Sequence, residues 1–289
     1  MGKYLIKKRT RSIINNRTIS LIEKFYCGGT IMQYDYVKHR IEGNIAVVTI
    51  NNPPVNALIS EAWGELDQIF YDLGQMEEIR AIILTGECEK PLFVGGSNVR
   101  EFLKHQPDNG YRYTLRNNNI RFNIYRCPKP VICAFNGSAF GGGLGLSLMC
   151  DYRIAPPFAK FAVGEINMGI LGFTQFLARR VHSGVARKMV YGGVRISADE
   201  ALRAGLVDEV VPIEELMPRA MELAKTFAAQ SPIAVRRAKE CMLKAEEEIF
   251  TNGGQDFEDL YEKELWGTLD QKEAVNAFLE KRSPVFQNK

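Results

Sequence analysis

The chain has 289 residues, 46% of them hydrophobic and 25% charged, enough for a large buried core and typical of an enzyme-sized globule. Its formal charge of +3 is unevenly spread: residues 1–31 hold seven basic residues and one acid, a balance of +6 that leaves −3 for the remainder. A mildly acidic body excludes nucleic-acid binding through bulk charge, and the absence of any run near about 20 apolar residues excludes a membrane-spanning helix.

The basic segment 1–31 fits three readings: a targeting presequence, a charged arm, or upstream sequence ahead of a natural start at Met32. Its IINNRTISLIEKFYCGG stretch has neither a clean amphipathic repeat nor a secretory apolar region. The six cysteines are scattered, with no C-x-x-C pair and no histidine at metal-ligand spacing. They read as reduced packing residues of a cytoplasmic protein, and no metal is expected.

From Tyr34 the pattern is orderly. YDYVKHRI and NIAVVTINN, separated by Glu42-Gly43, predict a β-hairpin. Pro53-Pro54 ends the second strand, Ser60 offers an N-cap, and Ala62, Trp63, Leu66, Ile69, Phe70 and Leu73 recur at helical spacing. AIILTG is a fully apolar strand of the kind buried in parallel sheets, so strand, helix and strand form a βαβ unit.

The loop ECEKPLFVGGSNVREF follows, then a helix around residues 110–126, then a second buried strand, PVICAFNG. Asp151 to Ala155 and Phe161 to Val163 predict further short strands, and Ser197 with Glu200 makes a capping box on a helix that Gly205 stops. Leu216, Ala220, Leu223 and Phe227 mark one amphipathic helix, Ala234, Val235, Ala238 and Met242 a second, and residues 256–281 one or two more. The order is an α/β core followed by a helical C-terminal region.

Phe140 to Asp151 reads FGGGLGLSLMCD. A glycine cluster between a buried strand and a helix lets the backbone approach a ligand closely, with free N–H groups and the positive helix end turned toward it. The spacing G-G-G-x-G is neither G-x-G-x-x-G nor a P-loop, so a phosphate is not the favoured ligand. An oxygen that becomes negative during reaction is the better fit, and such a site needs a second backbone donor. PLFVGGSNVREF, another glycine pair between strand and helix, supplies a candidate.

These segments resemble a family. FVGGSNVREF is similar to the A-G-A-D loop, and FNGSAFGGGLGLSLMCDYRIA to the N-G-x-A-x-G-G-G segment, of the crotonase superfamily of enoyl-CoA hydratases and isomerases. The likeness continues through FAVGEINMGILG, ISADEALRAGLVDEVVP and the C-terminal FLEKRSPVF, over roughly residues 34–286. It implies an α/β spiral of repeated ββα units, with the core over residues 32–230 and a helical region over 231–289 that builds a homotrimer or a dimer of trimers. It supports Met32 as a natural start.

The resemblance further implies an acyl-CoA thioester substrate with no separate cofactor, in lipid metabolism. The thioester oxygen would lie between the N–H groups of Ser97 and Gly142. Val55, Ala57 and the loop Gly95, Gly96, Asn98, Val99 and Arg100 would hold coenzyme A, and Lys281 would reach its phosphates.

Hydratases of the family resemble one another in using two glutamates. The first of those positions is Gly145 here, and the second is Glu165. One carboxylate beside an oxyanion site suits a proton shuttle, the Δ3 to Δ2 isomerisation of an enoyl-CoA; Gly145, flanked by leucines, implies a small apolar surface opposite Glu165. A hydratase working with Glu165 and a substitute donor is the second reading, with Asn167 able to orient a water or to stand in solvent. An aspartate eight residues past the glutamate, used by other branches, is Phe173 here. His105 or Tyr111 would have to serve a decarboxylase, and an inactive scaffold is a further alternative.

Overall fold

The computed structural model describes residues 34–98, 116–117, 119–168, 172–247, 268–280 and 282–289. The segment 1–31 and Met32, the loop residues Val99, Arg100, His105 and Tyr111, and Lys281 lie outside the described residues.

The hairpin forms from β1 (Val37–Glu42) and β2 (Ile45–Ile50), paired antiparallel from Val37 with Ile50 to Glu42 with Ile45, and Gly43 turns it at a φ of 63°. Helix α1 (Ser60–Gln75) follows, burying Trp63, Leu66, Ile69, Phe70 and Leu73 on one stripe. Ser60 is its first residue and not its cap. Ile59 holds the N-cap position without a side-chain bond, its carbonyl accepting the Trp63 N–H at 3.1 Å.

Beyond α1 the chain passes back and forth between two sheets. β3 (Ala81–Gly86), β5 (Val131–Ala134), β7 (Tyr152–Ala155) and β10 (Glu209–Val210) join the hairpin in a six-stranded sheet of order β1-β2-β3-β5-β7-β10. β4 (Leu92–Val94), β6 (Ser138–Phe140), β8 (Lys160–Ala162) and β9 (Ile196–Ser197) build a four-stranded sheet of order β4-β6-β8-β9. Each turn of the chain thus lays one strand on each sheet, the ββα spiral expected from the resemblance. β2, β3, β5, β7 and β10 run parallel, as do β4, β6 and β8.

The remaining helices are α2 (Gly142–Ser147), α3 (Thr174–Arg180), α4 (Ser183–Gly192), α5 (Ala198–Arg203), α6 (Ile213–Ala228), α7 (Pro232–Glu247) and α8 (Leu269–Glu280). Of the capping box expected at α5 the Ser197 half forms, its Oγ accepting the Glu200 N–H, while the Glu200 carboxylate pairs with Lys188 at 2.7 Å; Gly205 ends that stretch at a φ of 78°. Residues 116–117 and 119–125 are helical, within the helix expected around 110–126.

Two cores hold these layers. Ile45, Val47, Ile83, Ile132, Ala134 and Ile154 on one sheet face pack against Leu216, Ala220, Ala224 and Ala228, which recur every four residues along α6. Where the sheets meet, Phe135 stands edge-on between Phe93 of β4 and Phe161 of β8, at 5.1 and 5.0 Å between ring centres. Such pairs add about 0.5–1.5 kcal/mol each beyond their area. No disulfide joins the five described cysteines. Among the described residues no helix is long and apolar enough to cross a membrane.

Buried charges tie the later elements to the sheet. Lys239 of α7 donates to Asp151 Oδ2 at 2.7 Å and to the Lys129 carbonyl at 3.0 Å, while the same carboxylate accepts the Val131 N–H that opens β5. Asp151 therefore serves as a clasp and stands just outside β7. Arg153, only 5% exposed along its side chain, donates to the carbonyls of Leu206 at 2.7 Å and Cys150 at 2.9 Å and pairs with Asp208 at 3.2 Å. Arg153→Met would leave the Leu206 carbonyl without its guanidinium donor and break the ion pair with Asp208, so a loss of about 3–5 kcal/mol in unfolding free energy is expected by denaturant titration. Asp208→Asn, which keeps a carbonyl acceptor for the guanidinium, should cost less.

Candidate active site

The carboxyl ends of β4, β6 and β8, three neighbouring parallel strands, point to one edge, the usual place for a ligand in parallel sheets. Each delivers one candidate residue there. β4 runs into Gly95-Gly96-Ser97, β6 into Gly141-Gly142, and β8 into Gly164-Glu165. Ser97, Gly142 and Glu165 line a single cavity of about 170 Å³ together with Gly95, Gly96, Gly141 and Asn167. The three residues expected to carry the chemistry are therefore brought together from positions 97, 142 and 165.

The loop after β4 is held from behind. The Gly95 N–H donates to the Val55 carbonyl, and the Leu58 N–H to the Gly96 carbonyl, each at 2.9 Å. Leu58 faces Ser97 in an isolated parallel bridge, so the N–H of Ser97 itself points away from the strap. Gly96 reaches a φ of 113° and Gly141 one of 49°, values that a side chain would strain. A Cβ placed on Gly142 would stand 2.7 Å from Ser97 Oγ and 3.4 Å from its amide nitrogen, so the two backbones are in contact. As the first residue of α2, Gly142 has an N–H with no acceptor inside the helix. Because α2 spans only six residues, individual amides supply more of the site's field than a long helix dipole would.

Sequence reasoning missed Asn56, which fixes the strap. It is fully buried at a φ of 50°, accepts the Asn52 N–H at 2.9 Å and donates to the Phe93 carbonyl at 2.9 Å. Asparagine tolerates that left-handed backbone, yet NPPVNAL carries no pattern that marks the residue out. Val55 and Ala57 stand on either side of it, so both expected coenzyme-binding positions border the candidate loop. Asn98 ends the described part of that loop.

Glu165 opens a short 3-10 turn, Glu165–Met168, and is 8% exposed. Its carboxyl lies between two glycine backbones. A Cβ on Gly141 would come 3.0 Å from Oε1, and one on Gly172 would come 2.7 Å from Cδ. Burial raises its pKa above the usual glutamate value, while the backbone amides of Glu165 and Gly164 and the charge of Arg121 pull it back down. Oε2 has no hydrogen-bond partner among the described residues. Asn167 is exposed, its amide packed against Gly193.

Opposite lies a correction. The surface at Gly145 is apolar but not small, because the Phe173 ring fills it. A Cβ on Gly145 would fall 1.9 Å from Phe173 Cε1 and Cζ, so a side chain at 145 and this ring exclude one another. Phe173 holds a φ of 56° where the chain enters α3, a strained conformation for an aromatic residue. The Arg121 guanidinium lies 4.7 Å from the centre of that ring and 5.5 Å from that of Trp63. Among the described residues no group of three or more His, Cys, Asp or Glu is placed to hold a metal ion.

The buried carboxylate costs stability. With a folded pKa above the unfolded one, Glu165 is penalised once the pH exceeds its folded value, and the penalty disappears as the group protonates at lower pH. Glu165→Gln should therefore raise the melting temperature at pH 8, by a margin that shrinks on acidification through the raised pKa. A gain of equal size from pH 4 to pH 8 would exclude desolvation of the carboxylate as its cause.

Comparison with known proteins extends this geometry to the whole chain. The family profile described as enoyl-CoA hydratase/isomerase matches residues 40–289. The short-chain-enoyl-CoA hydratase of Clostridium acetobutylicum is 39% identical over 246 residues, covering 83% of this chain and 93% of the relative. The crotonyl-CoA hydratase of Syntrophomonas wolfei is 34% identical over 262 residues, with 89% and 100% covered. The crystal structure of an enoyl-CoA hydratase from Bacillus anthracis superposes with a TM-score of 0.84 at 32% identity, over 88% of this chain and all of that one. With this spiral of two sheets, this match and these relatives, the chain belongs to the enoyl-CoA hydratase/isomerase family of the crotonase superfamily and is an enzyme of acyl-CoA thioesters.

Proposed function

We propose that the protein is an enoyl-CoA isomerase that moves a double bond from the Δ3 to the Δ2 position of an acyl-CoA, with Glu165 as its single proton carrier. The thioester oxygen accepts from the N–H groups of Ser97 and Gly142. Glu165 removes a proton from C2, the electron pair is delocalised through C1 onto the thioester oxygen and through C3 onto C4, and the same carboxyl returns the proton at C4, leaving the double bond between C2 and C3. The product is the conjugated 2-enoyl-CoA, with no atom gained or lost. Fixed donors aimed at the developing enolate oxygen offset its charge, and each is worth about 2.7–4 kcal/mol in comparable sites. A carboxyl whose pKa burial has raised is a stronger base once ionised.

The observation that carries this reading is the Phe173 ring over Gly145. Hydration needs a second group to orient or activate water, and the place where hydratases of the family resemble one another in keeping an acid is filled by an aromatic ring. Coenzyme A would run along Val55, Ala57, Gly95, Gly96, Asn98, Val99 and Arg100 toward Lys281, with no further cofactor, in a homotrimer or a dimer of trimers. Hydratase action is the second reading, favoured by the names of the relatives, and Asn167 in the Glu165 cavity would then orient the water.

Incubation with 3-enoyl-CoA and, separately, 2-enoyl-CoA tests the proposal. Conjugation of the first without hydration of the second is expected, with Glu165→Gln lowering kcat by at least about 100-fold. Hydration without conjugation would favour the hydratase, and neither activity with coenzyme A still bound would favour a scaffold. Gly145→Glu alone should abolish activity through its clash with Phe173, whereas Gly145→Glu with Phe173→Ala should gain hydration of 2-enoyl-CoA.

A further inference from the structure

We propose that the Glu165 cavity selects a thioester whose acyl chain carries its own carboxylate, with Arg195 as the cation that receives it and the Asn167 amide as a second donor. The inference deepens the reading above and rests on it in placing the thioester between Ser97 and Gly142.

The cavity follows the edge of the small sheet in strand order. Ser97 follows β4, Gly142 follows β6, Glu165 and Asn167 follow β8, and Arg195 leads into β9; all five line it. Because β9 runs antiparallel to β8, with Ile196 opposite Phe161, the start of β9 lies at the same edge as the end of β8. Three strand spacings separate β4 from β9, about 14 Å. Coenzyme A, on the side of Val55 and Gly95, takes the β4 end. An acyl group leading from the thioester past Glu165 then runs toward the β9 end, where Arg195 stands.

The donors at that end are open. Arg195 is exposed, and among the described residues its side chain makes no hydrogen bond or ion pair; its guanidinium lies over the Phe140 ring, 5.0 Å from the ring centre. A ring against its face leaves the N–H rim free, and that rim matches the two oxygens of a carboxylate. Nor is its charge balanced by the proton carrier, since the cation that lowers the Glu165 pKa is Arg121. The Asn167 amide, packed against Gly193 where that residue ends α4 at a φ of 58°, likewise has no hydrogen-bond partner among the described residues. Gly193 thus holds the amide beside the segment that carries Arg195, and the buried Ile196 anchors that segment from the other side. A guanidinium is a donor only and an amide nitrogen is a second donor, so an acyl chain that ends in a methyl gains from neither, whereas one that ends in a carboxylate meets both.

Binding of non-reacting saturated thioesters tests the proposal independently of turnover. Hexanoyl-CoA and its ω-carboxylated counterpart adipoyl-CoA are titrated into the full-length protein by calorimetry, with the pentanoyl/glutaryl and octanoyl/suberoyl pairs to vary the reach of the chain. At one chain length or more the carboxylated thioester should bind about 5- to 30-fold more tightly, between the values typical of an exposed ion pair and of a hydrogen bond to a charged group. Arg195→Leu should bring that ratio to about one through weaker binding of the carboxylated member alone, Arg195→Lys should retain part of it, and Asn167→Ala should reduce it. A ratio near one at all three lengths overturns the proposal. So does an Arg195→Leu protein, folded by circular dichroism, that keeps the wild-type ratio, or one that weakens both members of each pair equally, which would assign the cation to the phosphates of coenzyme A. Failure of the isomerase reading would show separately, as absence of conjugation from 3-enoyl-CoA with the binding ratio intact.

Discussion

The parallel alignment of β4, β6 and β8 is the constraint on which the candidate site depends. Parallel strands direct their carboxyl ends the same way, so three connections far apart in sequence leave one edge together. None of the three strands exceeds three residues. Their alignment is secured by the larger sheet beside them and by the Phe93, Phe135 and Phe161 stack between the two. Backbone amides from the first two connections and a carboxyl from the third then meet around one cavity, with no side chain needed to span the gap.

Space is divided with equal economy. Glycines at 95, 96, 141 and 142 allow main chain to lie against main chain around one small cavity. Gly145 and Gly172 serve side chains instead, one giving room to the Phe173 ring and the other to the Glu165 carboxyl. Electrostatically, burial opposes the ionised carboxylate, while nearby amides and Arg121 favour it. This balance keeps an ionisable carboxyl in an apolar place at a cost in stability.

Much of this was legible in the sequence. The alternation of apolar strand and amphipathic helix marked most of the large sheet and its helices, because strands of four to six residues carry a clear pattern, whereas β10, with two residues, does not. The two glycine loops and the GEINMG segment marked the edge where the candidate residues gather. The small sheet was harder to read, since strands as short as LFV and SAF are too brief for a period to register. Ser60 resembled a cap, yet the first helical bond begins at Ile59. Phe173 over Gly145, Arg121 between two rings and Asn56 behind the strap arise from contacts between distant segments, which local pattern does not encode. For Gly145 the missing acid was visible and its replacement was not.

The seating of Glu165 between Gly141 and Gly172 has a stereochemical consequence. A carboxyl confined between two backbones has little freedom to swing around a planar intermediate, so it addresses one face of it. Under the proposed proton transfer, the proton lifted from C2 and the proton placed at C4 lie on the same side of the dienolate. The course of the shift is then suprafacial, and the prochirality of the C4 methylene formed is set by the fold of the backbone around the carboxyl.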